Sequence, residues 1–140
     1  NSGYEKHANL ADKNIGFLAV SGVNPKPVKE SKRNPLNDFV PRDKSFDDGK
    51  MIPTGTGEYQ ANPWGLYDMH GNVAEWTRSA YKAYPYVEGD GRNDVSEKAT
   101  RVARGGSWRD RPKTATSSYR LPYEQYQKVY NVGFRVIIEE

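Results

Sequence analysis

The residues of this chain best suited to chemistry are two carboxylates placed on either side of a glycine turn. Asp68 and Glu75 lie seven positions apart, and Gly71-Asn72 marks a turn between them. A turn can bring such carboxylates together and leave backbone carbonyl oxygens free. Hard oxygen donors in a loop suit Ca²⁺, which accepts roughly six to eight of them. The sequence alone leaves a second interpretation open, in which Asp68 caps the turn and Glu75 pairs with an arginine.

Two later motifs combine glycine with arginine. In RVARGGSWRD (101–110), Gly105-Gly106 lets the backbone turn where a Cβ would clash, or lets a ligand approach closely. In NVGFR (131–135), the pattern predicts a buried Phe134 and a presented guanidinium. Arg120 and Arg135 are candidates for fixed pairs with carboxylates, because arginine offers planar bidentate geometry.

The elements that must position these residues are short. Only 35% of the 140 residues are hydrophobic, 12% are aromatic, and 13 Gly and 9 Pro are present, which favours short strands and long loops over a helix bundle. Apolar or alternating patterns predict strands within 15–20, 68–81, 101–108 and 131–138. Residues 1–10, 22–50 and 81–100 are predicted to be loops. The expected result is one irregular α+β or β-rich domain with little helix.

Composition excludes several classes of function. The absence of Cys rules out disulfides, thiolate metal sites and thiol nucleophiles. The 21 basic and 18 acidic residues are interspersed, which argues against a nucleic-acid groove with its clustered cations. No apolar stretch approaches the ~18 residues of a membrane span.

Taken together and in this order, GLYDMHGNVAEW (65–76), RVARGGSWRD (101–110) and YRLPY with NVGFRV (119–123 and 131–136) resemble the formylglycine-generating-enzyme, or sulfatase-modifying factor, family. The resemblance runs from about Ala8 to the C-terminus. It implies an α+β fold that is irregular, loop-rich, related to C-type lectins and poor in regular secondary structure. The family's domain is longer, so residues 1–140 are expected to be the C-terminal portion of a single such domain without its N-terminal half.

The resemblance also implies two Ca²⁺ sites. The first, here called the Asp68 set, comprises a side-chain oxygen of Asp68, backbone oxygens of Gly71 and Val73, and the carboxylate of Glu75. The second, here called the Asn9 set, comprises Asn9, Leu10, Asp48 and Lys50. Lys50 replaces the aromatic residue usual at its position, but only its backbone oxygen would bind.

Catalysis in the family needs groups that this chain lacks. Formylglycine-generating enzymes bind copper through two cysteines and use O₂ to oxidise a sulfatase cysteine. The corresponding positions here are Asp110 and Ala115. Soft Cu(I) prefers thiolates, so copper is not expected and an enzymatic role is disfavoured. Related iron enzymes need three histidines, whereas this chain has only His7 and His70, and His70 is expected to be structural.

The implied function is therefore a catalytically degenerate domain that acts as a calcium-stabilised binding or scaffold module. The alternative is an oxidoreductase whose metal ligands come from a missing N-terminal half or a partner chain. The expected partners are a protein or carbohydrate ligand and that missing half or another chain, and the expected location is outside the cytoplasm of a bacterium. The expected ligand surface, here called the surface set, comprises Trp108, Arg109, Asp110, Arg111, Tyr119, Tyr123 and Tyr126.

Overall fold

The computed structural model describes residues 3–19, 26–27, 41–96 and 98–138. The first element in the described part of the chain is a single-turn helix, α1, followed by a short 3₁₀ helix and a two-stranded antiparallel sheet of β1 and β2. These elements span Tyr4–His7 (α1), Lys13–Phe17 (3₁₀), Leu18–Ala19 (β1) and Lys26–Pro27 (β2). The expectation of a loop over 1–10 missed α1. The apolar run at 15–20 is mostly 3₁₀ helix, its strand is confined to β1, and Val20 lies outside the described residues.

The main sheet has four strands in the order β5-β4-β3-β6. Its strands span Ala74–Ala80 (β3), Thr100–Arg104 (β4), Leu121–Glu124 (β5) and Val132–Gly133 (β6). A 3₁₀ turn at Pro112–Thr114 lies between β4 and β5 in the chain. The pairs β3–β4 and β4–β5 are antiparallel, whereas β6 runs parallel to β3. A small mixed sheet, few helices and long loops make the irregular, loop-rich α+β architecture expected from the sequence.

Two of the predicted strands are confirmed and one is much shorter than predicted. The alternating pattern after Gly71 forms β3, and the stretch before Gly105-Gly106 forms β4. The terminal strand is limited to the two residues of β6, and residues 134–138 are irregular and exposed. The expectation that Phe134 is buried is wrong, since its side chain is 78% exposed. β5 was not predicted.

The core lies between the N-terminal segment and the chain that follows β4. One buried cluster joins Ala11 and Ile15 to Trp108, and a second joins Ala8 and Leu10 to Ala115. Small side chains from the sheet, including Ala74 and Ala103, are also fully buried. None of the helices in the described ranges has the length and apolar character needed to cross a bilayer.

Candidate functional site

The loop that carries the Asp68 set owes its shape to left-handed backbone conformations. Gly65, Asp68, Gly71 and Asn72 have φ angles of 76°, 54°, 83° and 58°. Glycine adopts this region freely, and Asp and Asn are the residues that tolerate it best among the others. The sequence Gly-x-x-Asp-x-x-Gly-Asn therefore dictates a tightly wound loop immediately before β3.

Asp68 is buried and only half satisfied. One carboxylate oxygen, Oδ2, accepts a hydrogen bond of 2.7 Å from the backbone amide of Gly57. The other, Oδ1, is buried and has no hydrogen-bond partner among the described residues. A buried carboxylate oxygen without a donor carries a desolvation cost that a cation would remove. Asp68 therefore caps a neighbouring loop at Gly57 rather than its own turn.

Glu75 forms a bidentate ion pair with Arg135. The Arg135 Nη2 and Nε atoms donate to the Glu75 carboxylate at 2.7 and 3.0 Å, and Nη2 also donates to the Tyr67 carbonyl oxygen at 2.8 Å. The hydrogen bonds to Glu75 raise the pKa of Arg135, so the guanidinium stays charged. The predicted carboxylate pair of Arg135 is confirmed, as is the arginine pairing of Glu75 that the sequence left open.

Arg120 is bonded differently from the prediction. Its Nη1 donates to the Lys82 carbonyl oxygen at 2.7 Å, and its guanidinium carbon lies 3.8 Å from the centroid of the Tyr84 ring. A cation over an aromatic face is stabilised by the ring quadrupole. Arg120 thus holds the 81–85 loop through a carbonyl oxygen and aromatic rings instead of a carboxylate.

The Asn9 set is assembled around two buried side chains. The Asp48 carboxylate accepts hydrogen bonds from the amides of Leu10 and Lys50 at 2.7 and 2.9 Å. Burial, followed by the negative charge of Asp12, raises the pKa of Asp48 to about 6. Asn9 donates from Nδ2 to the Ile52 carbonyl oxygen at 3.0 Å, while its buried Oδ1 has no partner within the described part of the chain. The structure therefore brings all four members of this set together.

Sequence reasoning missed Asp12, which is fully buried beside this set. Its Oδ2 accepts the amide of Asp48 at 2.8 Å, and its Oδ1 accepts the amide of Asn14 at 2.7 Å. Burial raises the pKa of Asp12. The Asp-x-Asn spacing was the available signal, since such residues bond to the backbone two positions on. Its long-range partner Asp48 could not be read from local sequence.

The two predicted sets adjoin each other. The amide of Asn72 donates to the Asn9 carbonyl oxygen at 2.8 Å, so the loop of the Asp68 set is bonded to the first residue of the Asn9 set. The Asn72 side chain also accepts the amide of Thr54 at 2.9 Å. In the described ranges, no group of three or more His, Asp or Glu side chains is placed to hold a metal ion. Any cation here would rely on amide and backbone oxygens as well as carboxylates.

Asp110 and Ala115, the two positions that the resemblance aligns with copper-binding cysteines, form hydrogen bonds within the fold. Asp110 Oδ2 accepts a hydrogen bond from Ser107 Oγ at 2.6 Å, and the Asp110 carbonyl oxygen accepts the amide of Ala11 at 3.0 Å. Ala115 is buried, and its carbonyl oxygen lies 2.7 Å from His70 Nδ1. A carbonyl oxygen only accepts, so Nδ1 carries the proton. His70 thus fixes the chain at Ala115, in agreement with its expected structural role.

The residues of the surface set differ in exposure, and one of them lies in the core. Trp108 is only 2% exposed and packs in the core, so including it in a ligand surface was wrong. Arg109 lies over the Tyr130 ring at 5.5 Å, and the Tyr123 ring meets Trp76 edge-on at 5.9 Å. Asp110 and Arg111 are half-buried, whereas Tyr119 and Tyr126 are exposed.

This chain matches the model of a known domain family. The model of the sulfatase-modifying factor enzyme 1-like domain matches residues 16–140. The match includes the Asp68 set, β3 to β6 and the surface set.

Similar proteins share parts of this chain. The chaperone protein LppX of Paenibacillus barcinonensis is 31% identical over 81 residues, which cover 58% of this chain and 26% of that protein. The serine/threonine-protein kinase pkn1 of Chlamydia caviae is 41% identical over 56 residues, which cover 36% of this chain and 9% of that protein. Among solved structures, Treponema denticola variable protein 1 has 27% identity and a TM-score of 0.47, covering 59% of this chain and 31% of that chain. This chain therefore spans about a quarter or less of the length of the two curated relatives.

Proposed function

Because the chain belongs to the sulfatase-modifying factor enzyme 1-like domain family, we propose that it is a catalytically degenerate member that acts as a calcium-stabilised binding or scaffold module. The proposal of degeneracy is supported by Asp110 and Ala115, which stand where copper-binding cysteines would be and which bond to Ser107 and His70. A carboxylate and a methyl group do not offer the soft ligands that Cu(I) needs.

The observation that carries the calcium proposal is a pair of buried oxygens without partners. Asn9 Oδ1 and Asp68 Oδ1 are the only such side-chain oxygens among the described residues, and one belongs to each predicted set. Leaving a buried acceptor unsatisfied costs roughly 1–3 kcal/mol. Calcium, which prefers neutral and anionic oxygens, would satisfy both atoms and link the loops that bear them.

The two sets would hold calcium through different kinds of donor. In the Asn9 set, Asp48 would bring a buried carboxylate and Asn9 an amide oxygen. In the Asp68 set, Asp68 would contribute Oδ1, while Glu75 would have to share its carboxylate with Arg135. A carboxylate has about four acceptor positions, so the ion pair and a cation can both be accommodated.

Stabilised loops would present the binding surface. We place that surface at the exposed and half-buried members of the surface set, which combine tyrosine rings with the guanidinium groups of Arg109 and Arg111. The relative named as a chaperone supports a protein as the ligand. A location outside the cytoplasm, which we also propose, would keep even weak calcium sites loaded, since extracellular modules bind at roughly 10⁻⁴–10⁻³ M.

Thermal melting with and without calcium tests the proposal. A ligand at 100 times its Kd adds about 2.7 kcal/mol of stability, which shifts the Tm of a domain of this size by roughly 5–15 °C. We expect the Tm to fall by this order in EDTA, to return with excess Ca²⁺ and not to return with Mg²⁺. A melting curve that is the same in EDTA and in Ca²⁺ would contradict the calcium proposal.

Two matched variants would test whether calcium binds at the Asp68 set. Asp68→Gly removes the unsatisfied oxygen without straining a residue whose φ is 54°, and it should reduce the calcium-dependent rise in Tm. Asp94→Gly removes a carboxylate that bonds only to Ser96 in the described chain, and it should leave that rise unchanged. Elemental analysis of the longest natural form of the protein distinguishes the proposed calcium-stabilised module from the alternative, an oxidoreductase. Stoichiometric copper or iron in that protein would favour the oxidoreductase.

A further inference from the structure

We propose that a groove beside β3 binds a short acidic segment of a partner protein that also carries apolar side chains. This groove, here called the Trp64 groove, has a volume of about 710 Å³, within the roughly 300–1,000 Å³ of sites that enclose one small ligand. It shares Glu75 with the Asp68 set and no residue with the surface set. The inference rests on the proposed binding role but assigns it a second, different surface.

Part of the groove lining is a hydrogen-bonded turn that carries an exposed tryptophan. Asn62 Oδ1 accepts the amides of Trp64 and Leu66 at 3.0 Å each, and the backbone of Asn62 bonds to Gly65 and Leu66 at 2.9 Å. These bonds fix the turn, yet the Trp64 side chain is 83% exposed. A rigid backbone that holds a large aromatic side chain in solvent is typical of an interaction anchor.

The C-terminal part of the lining is also apolar and exposed. Ile137, which lines the groove, is 85% exposed, and its neighbours Val136 and Ile138 are similarly open. Trp76 of β3 contributes a further aromatic surface to the lining. Contiguous exposed apolar residues of this kind mark interaction sites in soluble proteins.

The charged residues that line the groove indicate that its ligand is acidic. Three arginines, Arg78, Arg104 and Arg135, line the groove together with a single carboxylate residue, Glu75. Arg135 is paired with Glu75, and Arg104 donates to the Ser117 carbonyl oxygen. Within the described residues, no carboxylate forms an ion pair with Arg78 or Arg104. An apolar groove with surplus guanidinium charge is complementary to glutamate or aspartate flanked by apolar side chains.

Calorimetric titration of the protein with a defined peptide tests this inference. The probe is a short peptide of alternating leucine and glutamate with blocked termini, so that its charge lies only in the side chains. The matched control peptide alternates leucine and glutamine. We expect saturable binding of the acidic peptide, about tenfold or more weaker binding of the glutamine peptide, and weakening of the acidic complex by added salt.

Variants of exposed residues locate the site without threatening the fold. Arg78→Gln should weaken binding of the acidic peptide by about tenfold, and Trp64→Ala should weaken it further. Lys128→Gln removes an exposed cation that does not line the groove and should leave binding unchanged. Circular dichroism and melting of each variant confirm that it is folded.

Three results would overturn the inference: no saturable binding, equal affinity for the two peptides, or equal affinity of wild type and Arg78→Gln. Sedimentation that shows a dimer dissociated by Trp64→Ala would also overturn it, because a second copy of the chain would then occupy the groove. The chelator melt described above is a separate readout, so failure of the peptide titration is distinguishable from failure of the calcium proposal.

Discussion

Gly71 lies against the backbone of Asn9 so closely that a Cβ added to it would be 2.2 Å from the Asn9 carbonyl oxygen. The same carbonyl oxygen accepts the amide of Asn72. The loop before β3 and the N-terminal segment are therefore interlocked through backbone atoms, which cannot move aside as a flexible side chain could. Each predicted calcium set contributes one side of this contact, so the geometry of one set depends on that of the other.

Gly71→Ala is expected to destabilise the protein severely. Alanine in the left-handed region costs about 1–2 kcal/mol, and the clash with Asn9 must be relieved by backbone displacement, so we expect a total loss of about 3 kcal/mol or more. Gly89→Ala is the matched control, because Gly89 has φ 72° and nothing within 4 Å of an added Cβ. It should lose only the conformational cost of about 1–2 kcal/mol. Urea denaturation measures both, and equal losses would contradict the interlocking role of Gly71.

Arg135→Gln tests whether a cation binds at Glu75. In EDTA the variant should lose about 1 kcal/mol, the value of a partly exposed ion pair. In excess Ca²⁺ the variant should gain more stability than the wild type gains, because the guanidinium that repels a cation at Glu75 is gone. The measurement is the difference in Tm between the two buffers for each protein. Lys113→Gln, an exposed cation in neither set, is the control. A calcium-induced gain no larger than that of the wild type would argue against calcium at Glu75.

The sequence was most informative where a pattern is local. β3 follows from alternation after a glycine turn, and β4 from a short apolar stretch before Gly105-Gly106. The ion pair of Glu75 was one of two open interpretations, but its partner Arg135 is 60 residues away, and only the parallel pairing of β6 with β3 brings the two together.

Other features depend on context that local patterns do not contain. The apolar run at 15–20 suits a strand or a buried helix equally well, and tertiary packing of Ile15 against Trp108 selects a 3₁₀ turn. Trp108 and Trp64 are the same residue type, yet one is fully buried and the other is exposed. Aromatic character alone therefore could not separate core from surface.

The two tryptophans give a direct comparison of core and surface. Trp108 packs against Ala11, Ile15 and Met51, so Trp108→Ala should cost about 3–5 kcal/mol. Trp108→Phe should cost much less, because the phenyl ring fills most of the space that Trp108→Ala leaves empty, and because loss of the buried Nε1, which has no partner in the described ranges, carries no hydrogen-bond penalty. Trp64→Ala should change stability by less than about 0.5 kcal/mol. Chemical denaturation followed by circular dichroism measures all three, and a Trp108→Phe loss as large as that of Trp108→Ala would show that indole packing, not the buried N–H, dominates.

The ion pair of Asp90 and Arg92 should make the protein sensitive to acid. Arg92 donates to both carboxylate oxygens of Asp90, and these bonds lower the pKa of Asp90 to about 2. In the unfolded chain the pKa of Asp is about 3.9. Because the folded pKa is depressed, the ion pair contributes its full stability above about pH 4, and this contribution is lost as the pH falls from about 4 to 2.

Asp90→Asn should therefore lower stability at neutral pH and flatten the dependence of stability on pH in that window. Arg92 is buried and its guanidinium lies 4.5 Å from the centroid of the Tyr86 ring, so the variant leaves a largely buried cation without its carboxylate. Glu88→Gln removes an exposed carboxylate from the same loop and should keep the wild-type pH dependence. Urea denaturation at a series of pH values gives the slopes, and NMR titration of the Asp90 carboxyl carbon gives its pKa. A wild-type slope retained in Asp90→Asn would assign the acid sensitivity to other carboxylates.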